Sequence, residues 1–180
     1  MANPPLLVHI CCAPDAIFGV EVFQRDYIVT GFFHNPNIWP TEEYDTRWVE
    51  AQKVESILGF KLVEGRYAPK LWEKQVARFA AEPEKGRRCD ICFALRLDAS
   101  ARTAAELGMP AFATVLTVSP WKKADVINRI GRQLGRKYGL RFIEADLKKK
   151  GGFQQSVELS RRYGLYRQKY CGCRFSWHPQ

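Results

Sequence analysis

No stretch of this 180-residue sequence approaches the roughly 20 consecutive apolar residues that a helical membrane span requires. Its opening Met1-Ala2-Asn3-Pro4-Pro5 has neither the basic region nor the cleavage site of a secretory signal. There is no internal repeat and no low-complexity linker. These absences argue against a helical membrane protein or a repeat array. The expectation is one cytoplasmic domain over residues 1–180, with 46% hydrophobic residues to fill a single core.

Disulfide stapling is disfavoured as well. In a reducing compartment, grouped cysteines bind metals or carry redox chemistry more often than they form structural bridges. The six here fall into three close pairs, Cys11-Cys12, Cys89-x-x-Cys92 and Cys171-Gly172-Cys173. Bridging adjacent cysteines needs a strained ring. A single tetrahedral zinc also suits adjacent thiols poorly, because structural zinc takes pairs separated by at least two residues. Cys11, Cys12, Cys89 and Cys92 match the four-thiolate ligation of a 4Fe–4S cluster, the adjacent pair reaching different irons. Cys171 and Cys173 are then left to hold an additional iron or to act as a redox-active disulfide. Zinc is the alternative metal.

The net charge of +9 is unevenly placed: Arg129 to Arg174 holds 13 Lys/Arg against 3 Asp/Glu, whereas residues 1–128 hold 15 against 16. Interleaved with Phe153, Tyr163, Tyr166 and Tyr170, the basic segment 129–174 suits a polyanion with stackable bases, through counterion release and stacking. A solvated basic surface is the plainer reading of the charge alone.

Strand-like runs at Leu6–Ile10, Tyr27–Phe33, Phe60–Val63, Ala111–Val118 and Arg141–Ile143 alternate with helical periodicities. Tyr44, Trp48, Ala51 and Leu58 mark one helix, and Ala124, Ile127, Ile130, Leu134 and Tyr138 another, with Gly59, Gly108 and Gly139 at helix ends. The pattern predicts an α/β fold with a mainly parallel sheet of about five strands and flanking helices. In such sheets ligands bind beyond the carboxyl ends of the strands. That rim would collect Cys11-Cys12-Ala13-Pro14-Asp15, His34-Asn35-Pro36-Asn37, Ser119-Pro120-Trp121-Lys122-Lys123 and Lys148-Lys149-Lys150-Gly151-Gly152. Asp15 is the leading non-thiolate ligand candidate, with helix capping as its other role, and Asp90 carries the same ambiguity. His9 reads as a hydrogen-bonded core residue, His34 as ligand or rim residue, and His178 as part of a frayed terminus.

The ordered motifs resemble the cobalamin-independent epoxyqueuosine reductase family, QueH. They are His9-Ile10-Cys11-Cys12-Ala13-Pro14, Phe33-His34-Asn35-Pro36-Asn37-Ile38, Glu43-Tyr44 with Arg47, and Arg88-Cys89-Asp90-Ile91-Cys92-Phe93 with Leu95-Arg96-Leu97. Thr117-Val118-Ser119-Pro120, Ile127-Asn128-Arg129-Ile130-Gly131, Lys149-Lys150-Gly151-Gly152-Phe153, Gly164-Leu165-Tyr166-Arg167-Gln168 and Tyr170-Cys171-Gly172-Cys173 complete the set. The resemblance implies a Rossmann-like, adenine-nucleotide α-hydrolase-like fold and reduction of epoxyqueuosine to queuosine at the wobble position of tRNA. It implies a 4Fe–4S cluster and no cobalamin, with an electron donor that is unknown. Asn35, Asn37, Lys148, Lys149, Lys150, Gly151, Gly152 and Arg167 become substrate-binding candidates. Many members carry cysteine where this chain has Asp15, so the ligand expected there is oxygen. ATP-binding members of the fold group often carry Ser-Gly-Gly-x-Asp-Ser after the first strand, and the loop Cys11-Cys12-Ala13-Pro14-Asp15-Ala16 argues against ATP use.

Converting an epoxide to an alkene takes two electrons, whereas a cluster commonly passes them singly. Asp15, Cys171 and Cys173 are therefore the candidate catalytic residues, either around a second iron acting as a Lewis acid or with Cys171 and Cys173 as a dithiol. A zinc-containing RNA-binding module and a tRNA-thiolating enzyme are the alternatives. The missing glycine-rich phosphate loop weighs against thiolation.

Overall fold

Leu6, Leu7, Val8, His9 and Ile10 are wholly buried and form the middle of the sheet, β1 (Pro5–Ile10). A strand covered on both faces needs a near-continuous apolar run, and this one has it. In the computed structural model, which describes residues 3–177, β1 pairs in parallel with β2 (Ile28–Phe33) on one side and β4 (Ala111–Thr114) on the other. β3 (Lys61–Glu64) and β5 (Arg141–Phe142) complete an all-parallel sheet in the order β3-β2-β1-β4-β5.

Alternate residues of β1 feed two cores. Leu6, Val8 and Ile10 join Ala16 and Val20 of α1 (Ala13–Gln24) and Val54 of α2 (Thr41–Leu58). Leu7 joins Ala101 and Ala104 of α4 (Arg87–Glu106), the helix that follows the short α3 (Pro69–Val76). The remaining helices are α5 (Ala124–Tyr138) and α6 (Gly152–Arg162), α6 lying against α1. Gly59 and Gly139 end α2 and α5 in the left-handed conformation, where no Cβ penalty applies. No helix of the described residues is long and apolar enough to cross a membrane.

The expected fourth strand is shorter than its apolar run. Extension stops at Thr114, and Leu116–Val118 form a 3-10 turn. The Thr114 hydroxyl accepts from the Leu116 N–H at 3.1 Å, and the Val118 N–H donates to the Val115 carbonyl at 3.0 Å. Val115, Leu116 and Val118 stay fully buried, so their hydrophobicity reports burial rather than extension.

Strand order reverses direction between β1 and β4, so the loops after these two strands diverge and open a crevice. The first cysteine pair sits at that point.

Candidate metal centre

β1 ends at Ile10 and hands the chain to Cys11, with Cys12 as the N-cap residue of α1. Asp15, in the first turn, does not cap the helix. Its Oδ2 instead accepts from the Cys11 thiol at 3.2 Å and faces Lys122 Nζ at 3.5 Å. Cys11 and Cys12 Sγ are 3.7 Å apart, and ligand atoms of Cys11, Cys12 and Asp15 all lie within 4.8 Å of one another. The unpaired N–H groups and positive dipole end of α1 favour negative charge there.

The other two pairs reach the crevice from different directions. Cys89 and Cys92 lie in the first two turns of α4. Cys92 and Cys173 share a small apolar cluster with Trp72 and Val76, which brings the C-terminal pair beside α4. Arg47 of α2 fixes that segment by donating to the carbonyls of Cys171 at 3.0 Å and Tyr170 at 3.2 Å. Gly172 has φ of +120°, and a Cβ there would stand 2.9 Å from Arg47 Nη1, so the close approach requires glycine. All six cysteines are free thiols, and with Asp15 and Asp90 they line one cleft of about 430 Å³.

Burial favours the protonated form of three of these thiols. It pushes Cys92 up to about 12 and also raises Cys89 and Cys171. The hydrogen bond between Cys11 and Cys12 raises the first and lowers the second. Cations face this set from the cleft wall: the buried Arg47, Arg88 and Arg96, and the partly buried Lys122. Burial works against the Lys122 charge, yet Cys11 and Asp15 more than offset it and raise the Lys122 pKa. Asn37 Oδ1, Asp90 Oδ1 and Arg96 Nε are buried without a hydrogen-bond partner and belong to residues of the cleft wall. Such atoms are rare in folded proteins and mark where a polar ligand would pair. Soft sulfur donors, the Asp15 carboxylate beside Cys11 and Cys12, and nearby cations fit an anionic iron–sulfur or thiolate-bound metal group.

Among the substrate-binding candidates, Asn37 and Arg167 line the cleft. Asn35 is turned inward, donating to the Ile10 carbonyl at 2.9 Å and accepting from Arg96 at 2.5 Å. Lys148 and Lys149 stand outside the cleft and pair with Asp146, and Lys150 is exposed beside them. Gly151 precedes α6 with φ of +79°, and a Cβ on Gly152 would meet the Leu147 carbonyl oxygen at 1.8 Å, so backbone conformation favours glycine at the first position and packing at the second. His9 is a core residue, as expected, bonded to Thr114 Oγ1 at 3.0 Å and to the His34 carbonyl at 3.2 Å. The His34 ring stacks on Phe32, and burial lowers its pKa to about 4. His178 lies outside the described residues. Arg47 and Arg96 were given no role from the sequence, although each occupies an otherwise buried helical face: Tyr44, Arg47, Ala51 and Val54 in α2, and Cys92, Arg96 and Ser100 in α4.

Comparison with known proteins is specific. The family described as Epoxyqueuosine reductase QueH matches residues 6–178. A Streptococcus pyogenes protein named Epoxyqueuosine reductase QueH is 38% identical over 177 residues, covering 95% of this chain and 69% of that protein. A Thermotoga maritima protein of the same name is 35% identical over 175 residues, covering 95% of this chain and 89% of that protein. Among solved structures, a predicted subunit of tRNA methyltransferase from Methanocaldococcus jannaschii has a similar fold, with a TM-score of 0.56 at 15% identity over 87% of this chain and 76% of that one.

The raised thiol pKa values predict a pH dependence for metal-free protein. Burial keeps protons on Cys89, Cys92 and Cys171 in the folded state that the unfolded chain releases from about pH 8.5. Their contribution to stability is complete below that pH and is lost as pH rises towards the folded-state values. Denaturant midpoints of chelator-treated protein should therefore fall from about pH 8.5 upward. A flat profile to pH 11 would contradict the burial of these thiols.

Proposed function

We propose, from the premise that this chain belongs to the epoxyqueuosine reductase QueH family, that it reduces epoxyqueuosine in tRNA to queuosine. The observation that carries the proposal is the convergence of six free thiols and Asp15 on one cation-walled cleft. The reaction adds two electrons and two protons, breaks both C–O bonds of the epoxide, forms the alkene and releases water. When bound, an iron–sulfur cluster supplies single electrons, and an adjacent iron supplies a Lewis acid and a second electron. No cobalamin is required. The electrons enter from an external donor, and the reaction takes place in the cytoplasm.

The chain's own groups perform the rest. Lys122, anchored on Asp15, presents its ammonium to the cleft and donates a proton to the departing oxygen. Arg47 and Arg96 hold the negative charge of the reduced centre. Arg167 and Asn37 on the cleft wall meet the nucleoside. The basic segment 129–174, including Lys148, Lys149 and Lys150, contacts tRNA phosphates within what acts as a single catalytic domain.

Two divisions of the seven ligands are distinguished. Motif spacing gives the cluster to Cys11, Cys12, Cys89 and Cys92, leaving Asp15, Cys171 and Cys173 for the iron. The geometry favours the converse, with Asp15 joining Cys11 and Cys12 around the iron, because those three ligand atoms already lie together. Cys89, Cys92, Cys171 and Cys173 would then hold the cluster, consistent with Cys92 and Cys173 sharing one apolar cluster.

Cys171→Ser separates the two divisions. Under the second, anaerobically prepared variant loses the visible absorption of the cluster, while Asp15→Ala loses only iron in excess of labile sulfide. Under the first, both variants keep the cluster absorption. The Lys122→Met variant tests proton donation: kcat on epoxyqueuosine tRNA should fall by about 10²-fold or more with iron and sulfide retained. Parental turnover in this variant would remove Lys122 from the mechanism.

A further inference from the structure

A second, shallower depression of about 380 Å³ adjoins the cleft, and the ligand set makes no use of it. The two are continuous, because Lys85, Trp121, Lys122 and Lys123 line both. Four lysines outnumber two aspartates, Asp125 and Asp146, and because Lys122 pairs with Asp15 and Lys148 with Asp146, Lys85 and Lys123 carry the excess charge. The depression therefore has the charge to receive a phosphate.

Trp121 stands at the junction. It is 68% exposed, the most exposed large hydrophobic side chain among the described residues. Isolated exposed aromatics are ordinary on protein surfaces. Here the indole is instead held in a defined setting. Its backbone N–H faces Ser119 Oγ at 3.4 Å, and the next residue, Lys122, is anchored inside the cleft on Asp15. The Lys85 ammonium lies 4.8 Å from the ring centroid, and Lys123 Nζ donates to the Lys85 carbonyl at 3.0 Å. Lys148 Nζ reaches the Lys122 carbonyl at 3.5 Å. The ring is thus framed by cations on an organised rim, with most of its surface in water.

A nucleoside that enters a cleft for chemistry must leave the base stack, and the nucleotide next to it loses a stacking partner at the same moment. We infer that the depression seats one nucleotide flanking the one that is reduced, with its base stacked on the Trp121 indole and its phosphate between Lys85, Lys123 and Lys148. This subsite rests on the reading of tRNA as substrate. It adds a stacking contact that compensates for the splayed-out base. Because an indole accepts any base face, it positions the RNA without demanding a particular flanking base.

The test uses anaerobically prepared, iron-loaded enzyme and anticodon stem-loop RNAs carrying epoxyqueuosine, either intact or abasic at the nucleotide on one side or the other. On intact RNA, Trp121→Ala should raise KM by about 5- to 150-fold, the range for losing one base–aromatic stack, and Trp121→Phe should recover most of the loss. With parental enzyme, one of the two abasic RNAs should show a comparable rise in KM. On that RNA, Trp121→Ala should cause no further loss, because both halves of the same contact have gone. Unchanged KM in Trp121→Ala, or an equal penalty on all three RNAs, would overturn the subsite while leaving the reductase reading intact. Failure of the parental enzyme to reduce the intact RNA would overturn the functional reading and the subsite together.

Discussion

The burial of six thiols in one cleft is the constraint on which the arrangement depends. Six thiols share one cleft with Asp15 and Asp90, and burial raises Cys89, Cys92 and Cys171, so a metal must displace their protons to bind. Arg47, Arg96 and Lys122 offset part of that cost, and each is itself fixed by the backbone or side chains of another element. Arg47 joins α2 to the carbonyls of Tyr170 and Cys171. Arg96 reaches from α4 to Asn35, which in turn holds the Ile10 carbonyl at the end of β1. Lys122 leaves the loop after β4 to meet Asp15 in α1. The cations are therefore also the ties that bring three cysteine pairs to one place.

This double use links fold to chemistry. A reductive centre gains negative charge as it takes up electrons, and fixed guanidinium and ammonium groups in a low-dielectric cleft stabilise that charge without reorganising. The crevice opens at the reversal of strand order, where the N-terminus of α1 adds its own favourable potential. Removing one cation would leave both an uncompensated anionic site and an unanchored segment, so stability and redox chemistry are expected to be coupled in this protein.

Much of this was legible in the residues themselves. The wholly buried run Leu6–Ile10 announces a central parallel strand, and Gly59 and Gly139 mark helix ends through the left-handed conformation they adopt. The cysteine pairs and Asp15, singled out by residue type, do lie together on one cleft. Three things were not legible. The apolar residues after Thr114 turn rather than extend, because hydrophobicity records burial and not backbone shape. Gly151 and Gly152 have structural reasons that a sequence does not display, a positive φ at the first and the close approach of the Leu147 carbonyl to the second. The grouping of Asp15 with Cys11 and Cys12, and of Cys92 with Cys173, depends on contacts between elements far apart in the chain, which local spacing does not encode.

The central claim is that the cleft holds an iron–sulfur redox centre. Iron, labile sulfide and zinc analysis of anaerobically purified parental protein, combined with its visible spectrum, tests this most directly. The account predicts brown protein with labile sulfide at cluster stoichiometry and iron in excess of sulfide. Colourless, fully folded protein that contains zinc, lacks sulfide and does not take up iron would contradict it.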